Sequence, residues 1–192
     1  MIRRVFLAAA AALCLAQPVA ALAQTPDVPA KATGRAAFAP LEAWAGKTWR
    51  GTGNGPAGGA KIQDVQQWQW DLGGHAIRII HSVNDGAYAG ESVLFPAPDG
   101  DGFVYTYVTT GGFYTTGVIR PAGQNAYVAE ETVHGVPGLG KLRSEGELGA
   151  DGVYRVRSSM EKDGQWIETG GFDYVEDAAA KPVLPDLPAK EQ

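Results

Sequence analysis

The sequence predicts an all-β chain: an antiparallel up-and-down β-barrel of about ten strands with a short N-terminal helix. Three observations carry this. Short runs of alternating apolar and polar residues follow one another from Thr48 to Val175. Turn signals rich in glycine separate them at nearly regular spacing. No stretch in that region has the length and period of a long helix. Ten short strands joined by tight links make a meander, and closing it removes the exposed edges.

The elements follow in chain order. Residues 1–23 read as a secretory signal peptide: Arg3 and Arg4 give a positive start, Val5 to Leu15 is apolar, and Ala21-Leu22-Ala23 is a small-x-small cleavage site. Its apolar run is too short to span a bilayer. The single cysteine, Cys14, lies in this segment, so the mature chain is expected to carry no disulfide and no thiolate site. A periplasmic or secreted location follows. Removing Arg3 and Arg4 takes the net charge from −5 to about −7. With no basic stripe, nucleic acid is not an expected partner, and no later stretch is long enough for a transmembrane helix. The sequence does not fix an oligomeric state.

Residues 24–36 form a flexible spacer rich in Ala, Pro and Thr. Phe38 to Ala45 suits one or two helical turns, with Gly46 as the stop. The barrel domain is assigned to residues 37–176. Its strands are expected at Thr48–Asn54, Lys61–Trp70, His75–Asn84, Tyr88–Phe95, Phe103–Thr109, Phe113–Arg120, Ala126–Val133, Lys141–Leu148, Val153–Glu161 and Gln165–Val175. The links between them, such as Asn84-Asp85-Gly86 and Asp163-Gly164, supply the positive φ angles of tight hairpins. In the first strand Gly51, Gly53 and Gly55 share one face, which leaves room for a bulky neighbour or a sharp bend. Trp44 and Trp49 are expected to plug a closed end. Residues 177–192, with three prolines, are expected to form a disordered tail.

The series Pro40-Leu41-x-x-Trp44-x-Gly46-x-x-Trp49-x-Gly51-x-Gly53-x-Gly55 resembles the opening of nitrobindin-like and related lipocalin-like bacterial barrels. Trp70-x-Leu72-Gly73-Gly74-His75, Asp85-Gly86 and Gly90-Glu91 look like an uncharacterised branch of that group. In strand rhythm the resemblance covers most of Phe38 to Val175. It implies a lipocalin-like (calycin-type) architecture with a ligand in the lumen. Nitrobindins bind haem through a histidine near the C-terminal end of the barrel. Val153 to Val175 contains no histidine, so no haem ligand carries over, haem is disfavoured, and no cofactor is expected.

The chemistry read from the residues is sparse. His75 and His81 lie on one expected strand about 20 Å apart, too far to share a metal ion. Asp99-Gly100-Asp101-Gly102 reads as a hairpin turn rather than a calcium loop. No nucleophile elbow or phosphate loop is present. The interior of the barrel remains. Phe103, Tyr105 and Tyr107 alternate on one face, as do Trp166, Glu168, Phe172 and Tyr174. If these faces point inward, the lumen is aromatic with a few polar groups, as ligand pockets are.

The expected function is therefore binding of a small hydrophobic or amphipathic molecule. Its apolar body would lie against Trp68, Trp70, Tyr105, Tyr107 and Phe113, at ~25 cal/mol per Å² of apolar area. His81, Arg143, Arg157 or Glu168 would meet its polar part. Two alternatives stay open: a periplasmic enzyme using the same lumen for acid–base isomerisation or hydrolysis through His81 or Glu168, and a packed barrel with an accessory envelope role.

Overall fold

The computed structural model describes residues 32–54 and 59–186. The expected signal peptide, the expected spacer through residue 31, Gly55 and the last residues of the expected tail lie outside the described residues. Ten strands run in chain order: β1 Thr48–Asn54, β2 Lys61–Asp71, β3 Ala76–Val83, β4 Tyr88–Pro96, β5 Phe103–Thr109, β6 Tyr114–Pro121, β7 Ala126–His134, β8 Lys141–Leu148, β9 Tyr154–Lys162 and β10 Gln165–Glu176. Each pairs antiparallel with its chain neighbours, and β1 pairs with β10 to close the barrel. All ten bounds fall within one residue of the sequence expectation. The alternation and the turn residues explain this accuracy. Asp163 and Gly164 both adopt positive φ and join β9 to β10 in two residues, as a tight hairpin requires.

Among the described residues helix is confined to a 3-10 segment, Gly34–Leu41, and a single turn, Leu72–Gly74. The 3-10 segment starts four residues before the expected helix and gives way at Leu41 to hydrogen-bonded turns. Among the described residues no helix is long and apolar enough to cross a membrane.

One end of the barrel is packed shut. Phe38, Leu41 and Trp44 come from the N-terminal segment and are fully buried. They meet Trp49, Trp68, Ile77, Leu94, Phe103, Tyr127 and Tyr154 from the strands. Trp44 touches Trp68, Tyr127 and Tyr154 at ring-centroid distances of 6.1, 5.4 and 5.8 Å. The expected plug of Trp44 and Trp49 is present. Its indole N–H groups are buried without a partner among the described residues, so apolar burial must outweigh that cost.

The inward faces follow from register. Gly51 of β1 faces Asp64 of β2, Gln66 faces His81 of β3, and Tyr105 of β5 faces Gly117 of β6. Gly51, Gly117 and Gly146 each lie beside a tyrosine of the paired strand: Tyr174, Tyr105 and Tyr127. Gly90 lies beside Tyr107 diagonally. A Cβ at any of the four would overlap the tyrosine ring. The glycine face of β1 therefore makes room for a bulky neighbour.

Two features depart from simple alternation. A bulge between Glu168 and Gly170 shifts the register of β10 against β9. A bulge adds one unpaired residue and so reverses which face later side chains take. Past it, Phe172 and Tyr174 point inward with Val156 and Tyr154; before it, Trp166 and Glu168 pair with Glu161 and Ser159 on the outer face. The second is the segment after β10. The Asp177 N–H donates to the Thr48 carbonyl at 2.9 Å, its carboxylate accepts from Arg50 at 2.8 Å, and the Val183 N–H donates to Ser82 Oγ at 2.8 Å. Ala180 is buried. This part of the expected tail thus straps the outside of the barrel, where the outward-facing Val65, Ser82 and Ala89 are also buried.

Candidate functional site

Above the plug the lumen is open. A cavity of about 190 Å³ is lined on its apolar side by Trp68, Ile79, Leu94, Ile119 and Val156. Gln66, His81, Ser92, Tyr105, Tyr107, Glu131 and Ser144 form its polar wall.

The polar wall is organised around Asp64, whose side chain is 2% exposed. Asp64 Oδ1 lies 2.9 Å from His81 Nδ1, and His81 Nε2 lies 2.7 Å from the Tyr107 hydroxyl. The Tyr88 hydroxyl is 2.8 Å from that of Tyr107. Tyr174 donates to Asp64 Oδ2 at 2.7 Å, Gln66 Nε2 donates to Tyr174 at 2.6 Å, and Trp68 Nε1 donates to Gln66 Oε1 at 3.2 Å. A carboxylate only accepts, so the Nδ1 that meets Asp64 carries a proton. In the neutral ring Nε2 then accepts from Tyr107, and Tyr107 accepts from Tyr88. All donors in the network thus point toward Asp64. The order carboxylate, imidazole, hydroxyl is that of a catalytic relay, with a phenol in the hydroxyl position. Burial, followed by the hydrogen bond to Tyr88, pushes the Tyr107 hydroxyl well above the usual phenol range. It is therefore a neutral donor across the physiological range.

Gly90 holds this arrangement by leaving space for the Tyr107 ring. Gly90→Ala is expected to cost about 1–3 kcal/mol through overpacking and to part Tyr107 from His81. Urea unfolding checks the cost; an unchanged midpoint would contradict the packing argument.

A second carboxylate sits across the lumen. Glu131 Oε2 accepts from Tyr105 at 3.1 Å and from Thr115. Burial raises the Glu131 carboxyl above its ordinary 4.5, and the hydrogen bonds from Thr115 and Tyr105 oppose that rise. The folded state then holds more protons than the unfolded state above about pH 4.5, so stability falls as pH rises until the folded carboxyl ionises as well. Glu131→Gln is expected to remove this fall, as read by urea unfolding at several pH values. Identical pH slopes in the two proteins would refute it.

The structure brings together four of the nine side chains that the sequence suggests for the site: Trp68, His81, Tyr105 and Tyr107. Trp70 points inward but lies at the plug, with its ring against Phe38 at 5.8 Å and under the Arg35 guanidinium at 5.0 Å. Phe113 immediately precedes β6, by the turn from β5. Arg143, Arg157 and Glu168 are outside the barrel. Arg143 bonds Glu130 at 3.0 Å and stacks on Trp166. Arg157 bonds Asp173 at 2.7 Å. Their long charged chains stay in water on the outer face, where solvation costs nothing. His75 precedes β3 and is separated from His81, and among the described residues no group of three His, Asp or Glu could hold a metal ion.

Asp64, Gln66, Tyr88 and Glu131 belong to the site without having been singled out from the sequence; Thr115 and Tyr174, which alternation alone could place on inward faces, join them through Glu131 and Asp64. The signal for Asp64 and Gln66 is their shared parity with Trp68 and Trp70 in β2. Glu131 shares parity with Tyr127, Ala129 and Val133 in β7.

Comparison with known protein families and with curated protein sequences finds no match to this chain.

Proposed function

We propose that this chain is an exported, lipocalin-like barrel, related to the nitrobindin-like group, that holds a small hydrophobic or amphipathic molecule in its lumen. The observation that carries the reading is the cavity of about 190 Å³, apolar on one side and polar on the other. An apolar cavity of ~150 Å³ takes a benzene-sized guest, so the occupant is compact, about one ring with a short substituent. A porphyrin is far larger. Export rests on the leader-like start of the sequence, and the short helical turns before β1 fit the same group of barrels.

Native mass spectrometry of the protein purified from periplasm, compared with its denatured mass, tests this. An added mass lost on denaturation supports a lumen ligand. A bare chain that also shows no Trp68 fluorescence change with small aromatic probes overturns it.

One observation favours a second reading, acid–base catalysis in the same lumen. The Asp64–His81–Tyr107 relay ends on a hydroxyl within reach of a guest. His81→Ala would then abolish turnover of a bound substrate while leaving its binding within a few-fold.

A further inference from the structure

Among the described residues Glu131 has no cation to answer it. Its Oε2 is held by two neutral hydroxyls, those of Tyr105 and Thr115. Among the described residues no donor bonds Oε1. Asp64 has His81 as a partner, but among the described residues no Arg or Lys lines the cavity; Lys162, of inward parity, is exposed at the end of β9. Arg78, Arg120, Arg143, Arg155 and Arg157 all pair with carboxylates on the outer face.

A carboxylate taken from water without a counter-charge is unfavourable, and an ion pair relieves that only where a partner is supplied. The raised Glu131 carboxyl reflects this burial. The lumen also disfavours anions: its wall carries the Glu131 carboxyl, and no guanidinium or ammonium lines the cavity. Fatty acids and aromatic acids are thereby disfavoured among compact amphipathic molecules. A guest bearing N–H⁺ groups would bring both the missing donor and the missing charge. Its apolar part would face Ile79, Leu94, Ile119 and Val156.

We propose that the lumen selects a compact organic cation, an ammonium group on a single ring or short alkyl body, which donates to Glu131 Oε1. This rests on the reading of the lumen as a binding site and names its ligand class.

Three isosteric probes test it by calorimetry on the purified protein: benzylamine, benzyl alcohol and benzoate. Benzylamine is expected to bind at least tenfold tighter than benzyl alcohol, with benzoate weakest. In Glu131→Gln the amine and the alcohol should bind equally. Glu131→Asp should keep the amine preference, which separates loss of charge from loss of fold. Equal binding of amine and alcohol by the wild-type protein, or a preference that survives Glu131→Gln, overturns the cation proposal and leaves the lumen-binding reading standing. No binding of any probe overturns both.

Discussion

Trp44→Ala is expected to destabilise the barrel by about 3–5 kcal/mol, the range for removing a large buried aromatic side chain. Trp44 is fully buried and packs against Trp68, Tyr127 and Tyr154. It belongs to the segment that closes one end, so the void opens where strands and plug meet. Trp44→Phe should cost much less than alanine. Phenylalanine keeps most of the apolar volume and removes an indole N–H that has no partner among the described residues; leaving such a donor buried costs about 1–3 kcal/mol. Urea unfolding of the two variants side by side checks the argument. If phenylalanine costs as much as alanine, then shape, not burial, holds the plug.

Asp64→Ala is the second large effect, at about 2–6 kcal/mol, because it leaves two buried donors without their acceptor, at about 1–3 kcal/mol each. His81 Nδ1 and the Tyr174 hydroxyl both lose their acceptor. Asp64→Asn should cost less. Its amide oxygen still accepts from one of them, while its NH₂ meets the other donor. A midpoint for Asp64→Ala within about 1 kcal/mol of wild type would mean that Asp64 does not organise the network. The same variant should leave the His81 ring without its anchor and so loosen the Tyr107 hydroxyl.

Much of the fold was legible. The strands are nearly all joined by short links, and glycine, asparagine and aspartate mark those links where positive φ is needed. Trp68, His81, Tyr105 and Tyr107 were legible because they lie in uninterrupted strands, where parity alone sets the face. Parity was also available for Arg143 and Arg157. In KLRSEGEL the residues Leu142, Ser144, Gly146 and Leu148 face in, and the charges face out. Tyr154 and Val156 set the inward face of β9, which puts Arg157 outside. Glu168 was not legible. It shares parity with Phe172 and Tyr174 in the sequence, and only the bulge separates them. The network on Asp64 was hidden for another reason. Its members come from β2, β3, β4, β5 and β10, and only closure of the barrel brings Tyr174 to Asp64 across 110 residues of chain.

The glycine–tyrosine pairs bear on how the barrel finds one arrangement. A strand that slips by one residue turns its apolar face to water and is rejected at once. A slip by two keeps every residue on its proper face, so hydrophobic patterning cannot reject it. Slipping β6 by two against β5 would set Tyr105 opposite Thr115 or Ile119 rather than Gly117, and slipping β8 against β7 would set Tyr127 opposite Ser144 or Leu148 rather than Gly146. Neither position offers the space that the ring needs. The small residues thus act as notches that admit one seating of each hairpin. Filling them all, with the tyrosines trimmed to match, would yield a chain that still collapses into β-sheet but settles into several offset barrels.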